Sequence, residues 1–113
     1  MISKETTQEL VENLRKIDPY RVILFGSYAY GKPHKDSDID LLVVTSDQFI
    51  PNNFREKNTI YLKVAKTLRN IERRIPIDLI VHTRGMHKKF IELESMFSKR
   101  ILKYGKVIYE KNN

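Results

Sequence analysis

The chain has no cysteine and no tryptophan, and only four glycines and four prolines among its 113 residues. Without cysteine there is neither a disulfide framework nor a thiolate metal site. Any metal must then be held by carboxylates, histidines or water, a donor set that favours a hard cation. No stretch approaches the ~20 consecutive apolar residues that a membrane-spanning helix needs. The opening Met1-Ile2-Ser3-Lys4-Glu5-Thr6 also lacks the charged-then-apolar layout of a secretory signal. A soluble, cytoplasmic protein is expected. Internal repeats, low-complexity tracts and Ser/Gly-rich linkers are absent too, and the length fits one domain over residues 1–113.

What the chain has in excess is positive charge: 21 Lys and Arg against 14 Asp and Glu, a formal net charge of +7. Such an excess draws phosphate-rich or acidic partners by long-range steering, and it also keeps a small protein soluble. The charges are spread along the chain, with local pairs at Lys88-Lys89 and Lys99-Arg100.

Periodicity gives an α/β (α+β) pattern, a small mixed β-sheet flanked by helices. Thr6 with Glu9 has the spacing of a capping box, and Leu10, Val11, Leu14 and Ile17 follow at helical intervals as far as Asp18-Pro19. Residues 21–25 form a short apolar run stopped by Gly26, a buried strand entering a tight turn. Turn and loop are expected over 27–37, and a second strand over 38–44. Asn53 with Glu56 caps a helix whose stripe is Ile60, Val64, Leu68 and Ile71. Pro76 opens a third strand over 77–81. One C-terminal helix is expected from about Met86 to Lys103, ending at Gly105, with a small edge strand at Val107-Ile108-Tyr109.

Three polar features interrupt this apolar frame. In the turn after the first strand, Gly26 lets the backbone approach an anion, and Ser27 adds a hydroxyl donor beside the unpaired N–H groups of a helix start. An ordinary tight turn has the same composition. In Asp38-Ile39-Asp40 the two-residue period of a strand puts both carboxylates on one face, with their Cα atoms about 6.5 Å apart. That spacing matches two Mg²⁺ ions about 3.5–4 Å apart, but a solvated strand entrance looks similar. Asp78 sits early in an apolar run, where its charge needs a cation or a hydrogen-bonded partner such as Arg73 or Arg74. If the third strand pairs beside the second, all three acids meet at one end of the sheet.

Taken together, Gly26-Ser27, ten intervening residues, Asp38-Ile39-Asp40 and the later Asp78 resemble the signature of the DNA polymerase β nucleotidyltransferase superfamily. Within it the chain is most similar to minimal nucleotidyltransferase (MNT) proteins, including antitoxins paired with HEPN-domain toxins. The likeness runs over nearly the whole chain, to the ending Gly105-Lys106-Val107-Ile108-Tyr109-Glu110.

This resemblance implies a nucleotidyltransferase fold with catalytic and metal-ligating Asp38, Asp40 and Asp78 holding two Mg²⁺ ions. Gly26 and Ser27 would grip ATP or another nucleoside triphosphate, and Asp78 would aid deprotonation of the acceptor. It further implies transfer of a nucleoside monophosphate, AMP from ATP, to a macromolecular hydroxyl such as a tyrosine of a partner HEPN toxin. One departure is Tyr30, where many relatives carry a basic residue; Lys32 or Lys35 would have to supply that charge. A competing reading is an antitoxin or binding module that neutralises its partner by contact. A third, an RNA-binding domain, draws on the net charge, but no aromatic-interleaved basic platform accompanies it. His34, His82 and His87 show no mutual ligand spacing and are expected at the surface or in loops.

Overall fold

Helix α1 (Lys4–Leu14) continues through one 3-10 turn, Arg15–Ile17, into strand β1 (Arg21–Phe25). The computed structural model describes residues 2–30 and 37–111. Short helix α2 (Ser27–Tyr30) follows β1, and strand β2 (Ile39–Val44) leads to α3 (Phe54–Thr67) and α4 (Arg69–Glu72). Strand β3 (Ile77–His82), helices α5 (Arg84–Glu92) and α6 (Met96–Tyr104), and strand β4 (Lys106–Glu110) complete the order.

The described strands form one mixed sheet in the order β3-β2-β1-β4. β1 runs antiparallel to β2 and to β4, with an irregularity at Val22/Ile23 against β4, whereas β2 and β3 are parallel. Strand alternation sorts the side chains onto two faces. Val22, Leu24, Ile39, Leu41, Val43 and Val81 pack with Leu10 and Leu14 of α1 and with Val64, Leu68 and Ile71 from the α3–α4 stripe. On the opposite face Ile23, Phe25 and Leu42 pack against Ile101 of α6, with Ile80 and Phe90 beside them. Apolar burial on both faces explains why β2 reads as a continuous hydrophobic run after Asp40.

Three expectations change. Ser3, not Thr6, caps α1: its hydroxyl accepts the Thr6 N–H at 3.1 Å, while Glu9 reaches Arg74 at 2.6 Å. The long helical stripe breaks at Leu68 into α3 and α4, although its buried face is unbroken. The expected C-terminal helix is two helices. Glu94 adopts a left-handed φ of 49°, and Ser95 then caps α6 by accepting the Ser98 N–H at 3.0 Å. The Asn53 cap on α3 is as expected, with the Glu56 N–H at 3.0 Å, but the Glu56 carboxylate turns back to the Asn52 N–H at 2.7 Å.

Candidate active site

Parallel pairing places Asp40 directly opposite Asp78 in the β2–β3 register, and antiparallel pairing places Phe25 opposite Asp40. Neighbouring strands lie about 4.8 Å apart and paired residues point to the same side. The two carboxylates therefore stand side by side, and the chain leaves β1 next to them through Gly26. Asp38, exposed, precedes β2 by one residue and lies on the same face as Asp40.

Gly26 has a φ of 72°, in the left-handed region that favours glycine. A Cβ there would overlap the carboxylate oxygen of Asp40 and lie 2.9 Å from its Cγ. The glycine turn is thus the wall against which the Asp40 carboxylate rests. Ser27 opens α2, whose first N–H groups have no acceptor within the helix. The Ala29 N–H donates to the Gly26 carbonyl at 3.0 Å and closes the turn.

Gly26, Asp40 and Asp78 line a cavity of about 390 Å³ together with Phe25 and, from α6, Phe97, Arg100 and Ile101; Asp38 and Ser27 are not among its lining residues. Burial, with the charges of Asp78 and then Asp38 added, pushes the Asp40 carboxyl above its ordinary value. Among the described residues no three acidic or imidazole side chains close into a single ligand shell. Asp40 and Asp78 stand at paired register positions at one end of the sheet, with Asp38 two residues before Asp40. The donor set fits a hard divalent cation: all-oxygen, acidic, and costly to charge at Asp40 unless positive charge arrives.

Phe97 and Arg100 of this cleft were not singled out from sequence as site residues. The signal lay in α6, where Phe97, Arg100 and Ile101 recur at intervals of three and four and so share one helix face. Tyr30 closes α2; its side chain, with Lys32, His34 and Lys35, lies outside the described residues.

His82 and His87 are not surface or loop residues. His87 is 4% exposed, and the Nδ1 atoms of the two rings lie 3.4 Å apart. Phe90 packs on both, with ring centroids at 5.0 and 5.9 Å. Burial first, then the nearby charge of His87 and Lys57, lowers the His82 pKa to about 4. Burial and the charge of Arg21 lower that of His87. Each prefers its neutral form. His82 follows Ile80 on the half-buried face of β3, and His87 precedes Phe90 by three on α5, so the packing of α5 on that face brings the rings together.

The chain resembles solved toxin–antitoxin structures. It matches a chain of a toxin–antitoxin crystallised with AMP-PNP at 20% identity and a TM-score of 0.61, over 94% of this chain and 74% of that one. A mutant MntA–HpeT toxin–antitoxin gives 19% identity and 0.59 over the same shares. A tri-AMPylated Shewanella oneidensis HEPN toxin in complex with MNT antitoxin gives 18% and 0.57, over 97% and 74%. At these identities the likeness is one of fold. No curated protein matches the sequence. The family model described as "Polymerase beta, Nucleotidyltransferase" matches residues 5–113. The chain belongs to the polymerase β nucleotidyltransferase family.

Proposed function

We propose that this chain is a Mg²⁺-dependent nucleotidyltransferase that moves AMP from ATP to a hydroxyl of a macromolecular acceptor, a tyrosine of a HEPN-type toxin, and so acts as its antitoxin. The observation that carries this reading is the placement of Asp40 and Asp78 at paired positions of parallel strands, beside the left-handed turn at Gly26. Asp38, Asp40 and Asp78 would hold the metal. Mg²⁺, when bound, supplies positive charge to the triphosphate and acidifies the attacking hydroxyl.

The chain's own residues position and neutralise. Backbone N–H groups after Gly26 and the Ser27 hydroxyl donate to phosphate oxygens, and Arg100 adds a cation on the far wall of the cleft. The acceptor oxygen attacks the α-phosphorus in line as the bond to the β-phosphate oxygen breaks. Pyrophosphate leaves, and the hydroxyl proton passes to Asp78. Leu93 and Met96, at 76% and 89% exposure, flank the α5–α6 connection, and Phe97, 47% exposed, lines the cleft. An apolar ledge there suits a protein acceptor. The solved relatives with AMP-PNP and with an AMPylated HEPN toxin support adenylyl transfer and that partner class.

The test is incubation with Mg²⁺, each α-phosphate-labelled nucleoside triphosphate and an extract of the source cell, with Asp40→Asn as control. The expected outcome is label from ATP in one protein band, absent with Asp40→Asn. Label in RNA would redirect the reading to a nucleic-acid acceptor. Absence of label from a protein that binds Mg²⁺ and ATP would favour neutralisation by contact through the apolar ledge.

A further inference from the structure

The sheet face that carries Asp40 and Asp78 at one end carries a second, differently built cavity at the other. Between Asp40 and Val44 strand β2 advances about 13 Å, and there a cavity of about 370 Å³ opens, walled by Tyr20, Arg21, Arg84, His87, Lys88 and Ile91 among others. Among the described residues no carboxylate lines it. The Arg84 guanidinium is held over the Tyr20 ring at 4.2 Å, which fixes a normally mobile cation in place. Arg21 lies 5.3 Å from the same ring centroid; its Nε is 3.2 Å from a Glu110 carboxylate oxygen, an ion pair in which the buried N–H is not aligned as a hydrogen bond.

His87 supplies the decisive atom. Its Nδ1 faces His82, so its Nε2 lies on the other side of the ring, buried and, among the described residues, without a hydrogen-bond partner. Buried polar nitrogens are normally satisfied, and an orphan in the wall of a cation-lined cavity marks a place for a ligand atom. The first turn of α5, capped by Thr83, forms the same wall and adds its positive end.

We propose that this cavity binds a phosphorylated small molecule of nucleotide size, its phosphate held by Arg21, Arg84, Lys88 and His87 and its organic part against Val44 and Ile91. The volume exceeds what inorganic phosphate fills and falls in the range of small-molecule sites. The convergence of Arg21, Arg84 and Lys88 on one cavity, with Arg84 held over Tyr20, suits a compact phosphate. The site is separate from the triphosphate cleft, so it stands whether or not the transfer reaction does.

The experiment is titration of the ¹⁵N-labelled full chain, in EDTA, with AMP, inorganic phosphate, tetra-adenylate RNA and a glutamate-rich peptide, following amide shifts. Saturable shifts with AMP are expected at Tyr20, Arg21, Gly85, His87 and Lys88 and should be preserved in Asp40→Asn. Affinity should fall about tenfold in Lys88→Gln, whose exposed side chain can be replaced without disturbing the core. Equal or weaker binding of tetra-adenylate than AMP supports a free nucleotide, and tighter binding would overturn the proposal in favour of a nucleic-acid strand. Inorganic phosphate or the peptide binding as tightly as AMP would overturn the proposal, as would unsaturable shifts or an unaffected Lys88→Gln.

Discussion

Replacing Gly26 by alanine strikes the backbone and the proposed metal-binding Asp40 at once. At a φ of 72° a side-chain-bearing residue pays about 1–2 kcal/mol for the left-handed conformation. The added methyl also overlaps the Asp40 carboxylate, which must leave its rotamer at about 0.5–1.5 kcal/mol. The expected destabilisation is roughly 2–3 kcal/mol. With an unfolding entropy of about 2.1 cal/mol/K per residue over 113 residues, the melting temperature should drop by roughly 8–13 °C. Displacing Asp40 should lower the transfer rate by about a hundredfold or more, because reacting groups tolerate little misplacement. The assay is thermal melting and labelled AMP transfer for Gly26→Ala, Asp40→Ala and the double variant. Removing the Asp40 carboxylate removes the overlap, so Gly26→Ala should cost about 1 kcal/mol less in that background. The reasoning fails if Gly26→Ala melts like the parent, or costs the same with and without the Asp40 side chain.

Three other outcomes are expected. The Asp40 pKa is raised in the fold, so its contribution to stability is fully present below the ordinary carboxylate range and lost as pH rises through the folded value. Asp40→Asn should therefore melt higher than the parent at pH 7 in EDTA, with the gap closing at low pH; Mg²⁺ should raise the parent's melting temperature but not the variant's. His82 has its pKa lowered from 6.5 to about 4, so stability should fall as pH drops through that window, where only the unfolded chain takes up the proton. His82→Phe should flatten this acid slope in a pH series of melts, and an unchanged slope would count against the buried neutral imidazole. Arg100→Gln should reduce transfer about ten- to a hundredfold, the value of a charged hydrogen bond to phosphate. The loss should appear mainly in the KM for ATP, and a variant with parental kinetics would remove Arg100 from the cleft.

The sheet and its acids were legible because their signals are local. β1 and β3 stand within a residue of the expected runs, and the Asp38-Ile39-Asp40 spacing already put two carboxylates on one face. Their union with Asp78 rested on β2 and β3 being neighbours, which the parallel pairing satisfies. Less legible were features decided by competition or by distance in the chain. Ser3 and Thr6 both offer cap chemistry, and Glu9 went to Arg74, 65 residues away. The break before α6 hinged on Glu94 adopting a left-handed turn so that Ser95 could cap. The His82–His87 contact joins a strand end to a helix, and no ligand-spacing rule covers a pair brought together by packing.

Among the described strands β3 lies at the margin of the sheet, paired only on its β2 side, whereas β2 is flanked on both sides. Segments with few buried contacts open most readily in native fluctuations, and Val81 is the one buried residue of β3. The acid on β3 is consequently the one whose place depends on a segment that can peel away while the interior stays intact. A brief excursion of that strand would part Asp78 from Asp40, and so interrupt the proposed transfer, without unfolding the protein. Hydrogen exchange along residues 77–82 would then time how long Asp40 and Asp78 stay paired between such openings.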